Sequence, residues 1–484
     1  MNLRRFSSRV LLLSLAAAPL VGCGGSDESP QPAGAFGSTC DPSHPVCAGG
    51  LACEETSDNS YRCYEELVLR GRVEDASNGE PIKGARLMAV DEEGSPVTDV
   101  AESDADGRYE LTVPAARAAD GAPASAKFTL RAAAQDFQAF PDGPRVALPI
   151  DARNAKKADG RFVIENALTT VDLIPLPAGD RSAIKGTVVA LASHANAPIG
   201  GLLVVASGAS GATSGISDKS GEFEIFNVPS GGYELKAYGA GIQVESKSVT
   251  VAATPLDGVD LHEVEAATTS VSGSVQIVNA PGGTLTSVIL VVEDTFDPNA
   301  ARGEAPRGLR SPKAGAPDVS GGFVIAGVPA GRYVVLAAYE NDGLVRDPDT
   351  AISGTDIVHI EVTAGELSKT LDQSFKVTAA LGTLGPGADA PEAVTAKPDL
   401  VWQDDSSEDG YDLRVFDALG NEVWKSLGLP AVKGNSNVVV PYEGPLDPGM
   451  YYQFRVTSWR DSKGTQTPIS TSEDLRGVFF LPAK

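Results

Sequence analysis

The chain has 484 residues, with 64 acidic against 39 basic side chains and a formal net charge of −25. That balance repels nucleic acid, anionic lipid headgroups and lipopolysaccharide phosphates, and argues against all three as direct partners. Glycine (52) and proline (33) are abundant and aromatics make up only 6%, a composition of many short strands joined by turns; the length suits roughly three to five domains.

Residues 1–22 read as a signal peptide. Arg4, Arg5 and Arg9 form a basic start without an acid, and an apolar run follows from Val10. The run is too short for a membrane span, which takes about 20 apolar residues. Its end, Leu20-Val21-Gly22-Cys23, resembles the lipobox of bacterial lipoproteins. That resemblance implies a diacylglyceryl thioether on Cys23, cleavage before it and an added N-acyl chain. Stable anchoring takes two or more acyl chains, which this modification supplies. Gly24, not Asp, follows the cysteine; by the sorting rule of enteric lipoproteins this implies the outer membrane. Residues 23–38, built of Gly, Ser, Pro and acids, read as a flexible lipid tether.

Residues 39–65 hold Cys40, Cys47, Cys53 and Cys63 among turn-forming residues. A short cysteine-dense segment in an exported chain predicts two disulfides, and the spacing leaves all three connectivities open. Paired C-x-x-C spacing, which a zinc site favours, is missing. The segment resembles the small cysteine-rich knots, Dickkopf-like in spacing, near the N-termini of large bacterial surface lipoproteins.

From residue 66 the chain repeats itself. Leu69-Arg70-Gly71-Arg72-Val73, Ile184-Lys185-Gly186-Thr187-Val188 and Val271-Ser272-Gly273-Ser274-Val275 each predict a half-buried strand. Each opening is answered by a second motif. Asp218-x-x-Gly221-x-Phe223-x-Ile225-x-x-Val228-Pro229-x-Gly231-x-Tyr233 recurs with the same spacing from Asp318 to Tyr333. The first copy, Asp104-x-x-Gly107-x-Tyr109-x-Leu111-x-Val113-Pro114, then runs into an Ala-rich insertion. The aspartate suits a turn that its own side chain caps, the glycine a positive φ, and the alternating apolar residues a core face. With Pro81-Ile82-x-Gly84-Ala85 in the first copy, these motifs resemble the carboxypeptidase regulatory-like domain, which implies three transthyretin-like sandwiches at 66–178, 183–265 and 268–370. The period of about 90–115 residues predicts beads on a string, not a solenoid.

Residues 376–484 carry another signature. Trp402, the alternation Tyr411-x-Leu413-x-Val415, and Leu446-x-Pro448-x-x-x-Tyr452-x-Phe454-x-Val456 resemble a fibronectin type III sandwich with its tyrosine corner. That resemblance implies a core role for Trp402 and a Tyr452 hydroxyl bonded to upstream backbone.

Catalytic groupings are sparse. His262-Glu263 with the later His359 has metallopeptidase-like residues, but strand parity sends residues three apart to opposite faces. Ser182-x-x-Lys185 meets the same objection, and His44 and His194 show no acid or base partner. Asp104 and Asp106 alternate as in a calcium loop but suit a turn equally. The sharper candidates for a ligand site are Trp459, whose parity opposes the core-facing Tyr452, Phe454 and Val456, and Trp424 across the sandwich edge; exposed aromatics stack on sugar faces. A basic stretch, Arg302, Arg307, Arg310 and Lys313, forms a long loop expected to be solvated. The expectation is an all-β chain of tandem sandwiches, non-enzymatic and without cofactor or metal. It is anchored to the membrane through lipid at Cys23 and acts as a rod-like scaffold for binding or adhesion. Polysaccharide recognition by the last module and an accessory role in a secretion assembly are the alternatives, with polysaccharides or envelope proteins as partners.

Overall fold

The computed structural model describes residues 34–482 apart from 93, 125, 192–198, 279–285, 299–301, 312–320, 340–344, 347–356, 373–374, 379, 406, 433–436 and 473–474. The signal peptide, Cys23, the tether to residue 33, His194, Lys313 and Asp318 lie outside the described residues. Among the described residues the regular elements are strands and single 3-10 turns, and they build a disulfide hairpin and four sandwiches in tandem.

Each of the first three sandwiches is organised by one central strand: Leu67–Asp75, Arg181–Val189 and Thr269–Val278. Each pairs antiparallel with the hairpin strand of its second motif, Arg108–Val113, Glu222–Pro229 or Gly321–Val328. On its other edge it takes parallel strands such as Thr170–Leu173 and Leu256–His262. In the third copy these are Ser368–Thr370 and Phe375–Thr378, so this sandwich runs past the expected end at 370. The last sandwich therefore starts after residue 378, later than the expected 376.

The two repeated motifs meet in space. Gly71 stands opposite Tyr109, Gly186 opposite Phe223 and Gly273 opposite Phe323. A β-carbon on Gly186 would lie 1.8 Å from the Val259 carbonyl oxygen and 2.7 Å from the Phe223 ring. On Gly71 it would lie 1.8 Å from the Thr169 oxygen. The closing backbone and the aromatic thus occupy the space a side chain would need, and strand glycines of this kind mark a close approach. The turn residues act as expected. Asp104 Oδ1 accepts the Asp106 and Arg108 backbone N–H groups, and Asp218 Oδ1 those of Ser220 and Glu222. Tyr233 and Tyr333 donate their hydroxyls to the carbonyls of Pro229 and Pro329 at 2.9 and 2.8 Å.

The modules are not independent beads. Asn227, in left-handed conformation just before Val228-Pro229, donates to the Ala134 and Phe137 carbonyls of the first module and accepts the Asp136 N–H. At the same motif position in the third copy, Gly327 is also left-handed and its carbonyl accepts the Gly241 N–H of the second module. One motif position therefore docks each module on its predecessor. Arg86 adds an ion pair to Glu224 at 3.0 Å between modules one and two, and Tyr238 meets Tyr333 edge-on between two and three. The basic loop, expected in solvent, is part of this packing. The Arg307 carbonyl accepts the Ala240 N–H, and burial holds the Arg310 guanidinium below its ordinary pKa.

The last sandwich folds back on the first, which replaces the expected rod with a closed body. Gln138 Nε2 donates to the Ala418 carbonyl at 2.6 Å. Arg145 lies between the Phe140 and Tyr451 rings and donates to the Asp172 carbonyl. Ala76, Ile174, Ala418 and Met450 form a small apolar cluster beside it. Gly449 is so close to the first module that a β-carbon would lie 1.6 Å from the Ala76 oxygen.

Two substitutions test these constraints. Gly186→Ala overpacks the second sandwich and should cost about 3 kcal/mol. Gly232→Ala, where nothing lies within 4 Å, should leave the thermal midpoint nearly unchanged. Gly449→Ala should separate the first and last modules and raise the radius of gyration in X-ray scattering. Gly79→Ala shares the positive φ but has open space around it, so it reports the backbone strain alone.

Candidate functional site

Three places concentrate polar chemistry: the disulfide hairpin and its seat, the outer face of the last sandwich, and a cleft where three modules meet. The hairpin pairs Leu51–Glu55 with Tyr61–Glu65, and its disulfides are Cys40–Cys53 and Cys47–Cys63. These bonds use the sulfurs that a zinc site would need. The hairpin sits on the Ala-rich insertion of the first module. Arg117, fully buried, donates to Glu54 Oε1 at 3.3 Å and to the Glu65 carbonyl at 2.9 Å, and its guanidinium lies over the Phe162 ring. Glu54 Oε2 accepts the Ala115 N–H. Burial pushes the Glu54 carboxyl above the ordinary range, and the Arg117 charge and the Ala115 N–H partly oppose this. Arg117 Nε and Nη1 have no partner, so this ion pair is incompletely satisfied. The insertion gave no sequence signal of this role beyond a single arginine in an Ala-rich run.

In the last sandwich Trp402 is fully buried, and the Tyr452 hydroxyl accepts the Asp447 backbone N–H at 3.0 Å, the bond expected of a tyrosine corner. Trp459 does face away from the core. It pairs with Gly410 and donates its indole N–H to Asp412 Oδ1 at 3.3 Å. It is half-buried, and its ring covers Gly410, where a β-carbon would lie 2.4 Å from the indole. Trp424 pairs with Val415 and meets Tyr442 edge-on against the core. The two tryptophans therefore occupy opposite faces of one sheet and do not form a shared platform. The expectation that Trp424 lies near Trp459 fails because their partners Gly410 and Val415 are five positions apart on one strand, an odd offset that puts them on opposite faces.

The suspected catalytic residues are also dispersed. Lys185 pairs with Glu224 at 2.9 Å, while the Ser182 hydroxyl is buried without a partner. Glu263 accepts the Leu191 N–H, and His359 pairs with Glu293 at 3.4 Å.

The cleft is the concavity that sequence reasoning missed. It holds about 140 Å³ and is lined by Gln138 and Asp142 of the first module, Asp297 of the third, and Phe416, Asp417 and Arg455 of the last. Asp142 is exposed at the cleft, and crowding by the protein around it together with the nearby Glu304 carboxylate raises its pKa. No local motif marks this place, because its walls come from residues up to three modules apart.

No family model matches the chain, and no curated protein is similar to it in sequence. Among solved structures, the chain is similar to the Bacillus anthracis TIE protein at 13% identity, over 86% of this chain and 73% of that one, with a TM-score of 0.16. A streptococcal ancillary pilin overlaps at 12% identity, over 65% and 99%, with a TM-score of 0.17. The minor pilin GBS52 of Streptococcus agalactiae overlaps at 12%, over 41% and 96%, with a TM-score of 0.16. Overlaps at such TM-scores carry no inference about what this chain does.

Arg117→Met should cost about 3–5 kcal/mol at neutral pH, because Glu54 is left as a buried, unpaired charge. A raised native pKa stabilises the fold below the unfolded value, and that contribution is lost as pH rises through the native one. Without Arg117 the Glu54 carboxyl rises further. The deficit relative to wild type should therefore shrink as the pH falls from 7 toward 5 in urea melts.

Proposed function

We propose that the chain is a lipid-anchored, non-enzymatic protein of the cell envelope that serves as a scaffold for binding or adhesion. The first three modules are read as carboxypeptidase regulatory-like and the last as fibronectin type III-like, with an outer-membrane anchor at Cys23. One observation carries the reading of a scaffold. The polar residues that the repeats share are engaged in turns and hydroxyl–carbonyl bonds, and Asn227 in module docking, which is the use of a framework and not of a reaction centre. The lipobox-like Leu20-Val21-Gly22-Cys23 supports the anchor, and the acidic balance keeps the body off anionic headgroups.

Cys23→Ser should move the protein from the membrane fraction to the soluble fraction of the producing cell. Retention in the membrane would refute the anchor. Crosslinking of the anchored protein in intact cells should capture an envelope protein or polysaccharide, whereas zinc-dependent peptidase activity of the purified chain would overturn the non-enzymatic reading.

A further inference from the structure

The loop that opens the disulfide hairpin differs from the acidic body that carries it. Residues 34–53 hold one acid, Asp41, and no lysine or arginine, whereas the whole chain has 64 acids against 39 bases. Every residue from Asp41 to Val46 is exposed. Val46, at 72%, is the most exposed large hydrophobic among the described residues. Pro42, Pro45 and Ala48 are exposed near it in sequence, and Phe36 is 42% exposed.

The loop is braced in this shape. Cys40–Cys53 and Cys47–Cys63 tie its two ends to the hairpin strands. Within it, Asp41 Oδ1 accepts the Ser43 N–H at 2.9 Å and the Asp41 carbonyl accepts that of His44 at 3.1 Å. The braces keep Val46 in water, so burying it against a partner demands little further ordering.

Position selects the partner. Gly34, the first described residue, lies against the loop: its carbonyl accepts the Ala48 N–H at 2.7 Å, and a β-carbon on it would lie 2.9 Å from the Val46 oxygen. Gly34 follows Cys23 by eleven residues, and a chain of that length spans at most about 40 Å. A lipid on Cys23 therefore brings the bilayer to the side of the body that presents Val46. Charge agrees, since anionic headgroups repel the acidic body far more than a loop with one carboxylate. Exposed valines elsewhere, such as Val439 in the last sandwich, have no tether beside them and are ordinary.

We propose that the loop 41–48 dips into the headgroup region of the bilayer, with Val46 as its leading side chain, and so sets which face of the body meets the membrane. The proposal rests on the reading of Cys23 as the lipid anchor and adds a second membrane contact to it.

The test places the full lipidated chain in phosphatidylethanolamine–phosphatidylglycerol vesicles and reads tryptophan fluorescence. Matched vesicles carry bromine, a quencher, near the headgroup end of the acyl chains. The native tryptophans all lie in the last sandwich, so wild type should be quenched little. Val46→Trp should add emission that the brominated lipid quenches by at least half. Val439→Trp, at a site 53% exposed, should behave as wild type. No added quenching in Val46→Trp, or equal quenching in both variants, would overturn the contact and leave the anchor standing. Failure of the wild-type chain to co-sediment with vesicles would overturn the anchor and the contact together. In intact cells a photo-crosslinker at position 46 should label phospholipid. Labelling of a protein alone would assign the loop to a protein partner and refute the proposal.

Discussion

A backbone carbonyl lying 1.8 Å from where a β-carbon would stand leaves one residue type possible, and the first two sandwiches are built around that constraint. The opening glycine lets the closing segment cross tightly, and the hairpin aromatic fills the remaining space. The pair therefore holds three strands in register at once. In the third copy the steric demand comes from side chains instead, Leu371 and the Phe323 ring, each 2.9 Å from the absent β-carbon. A side chain can yield where a carbonyl cannot, so the constraint is softer in the third copy, although the closing strand is split in both the first and the third.

The same motif that sets the fold also sets the packing between modules. Residues 227 and 327 occupy one position in the repeat, both are left-handed, and both bond to the preceding module. The first copy has no predecessor among the sandwiches, and here its sequence departs from the pattern. After Val113-Pro114 the Ala-rich insertion receives the disulfide hairpin through Ala115, Arg117 and Glu54. Repeat arrays need a distinct end where the next unit is missing. The hairpin fills that role, and its two disulfides stabilise a segment of about 27 residues, too small for a core of its own.

Legibility in the sequence followed the range of the interactions. Turn-capping aspartates, the Val-Pro hairpins and the tyrosine corner are contacts within about sixteen residues, and their spacing was readable. The Gly–aromatic pairing spans about 37 to 50 residues, and repetition alone revealed both halves without showing that they touch. Docking through Asn227 and the closure through Gln138 and Tyr451 left no readable trace, because an asparagine, a glutamine or a tyrosine at a surface position has many ordinary uses. The two tryptophans show the cost of parity arguments carried across strands: Trp459 was placed on the correct face, but Trp424 required knowing which residue it pairs with.

Closure changes what binding by this chain would involve. In a rod of hinged beads, a site between modules would form only when the beads happened to meet, and ordering them would subtract from affinity. Here Gly449 rests on the Ala76 backbone, Arg145 is clasped between two rings, and Gln138 is bonded to the Ala418 carbonyl, so the cleft walls are held before any ligand arrives. Three modules that individually offer only turns and sheet faces produce a concavity together. Of the residues that hold them in place, Gln138 and Ala418 themselves line that concavity, so one of the closing bonds is also part of its wall.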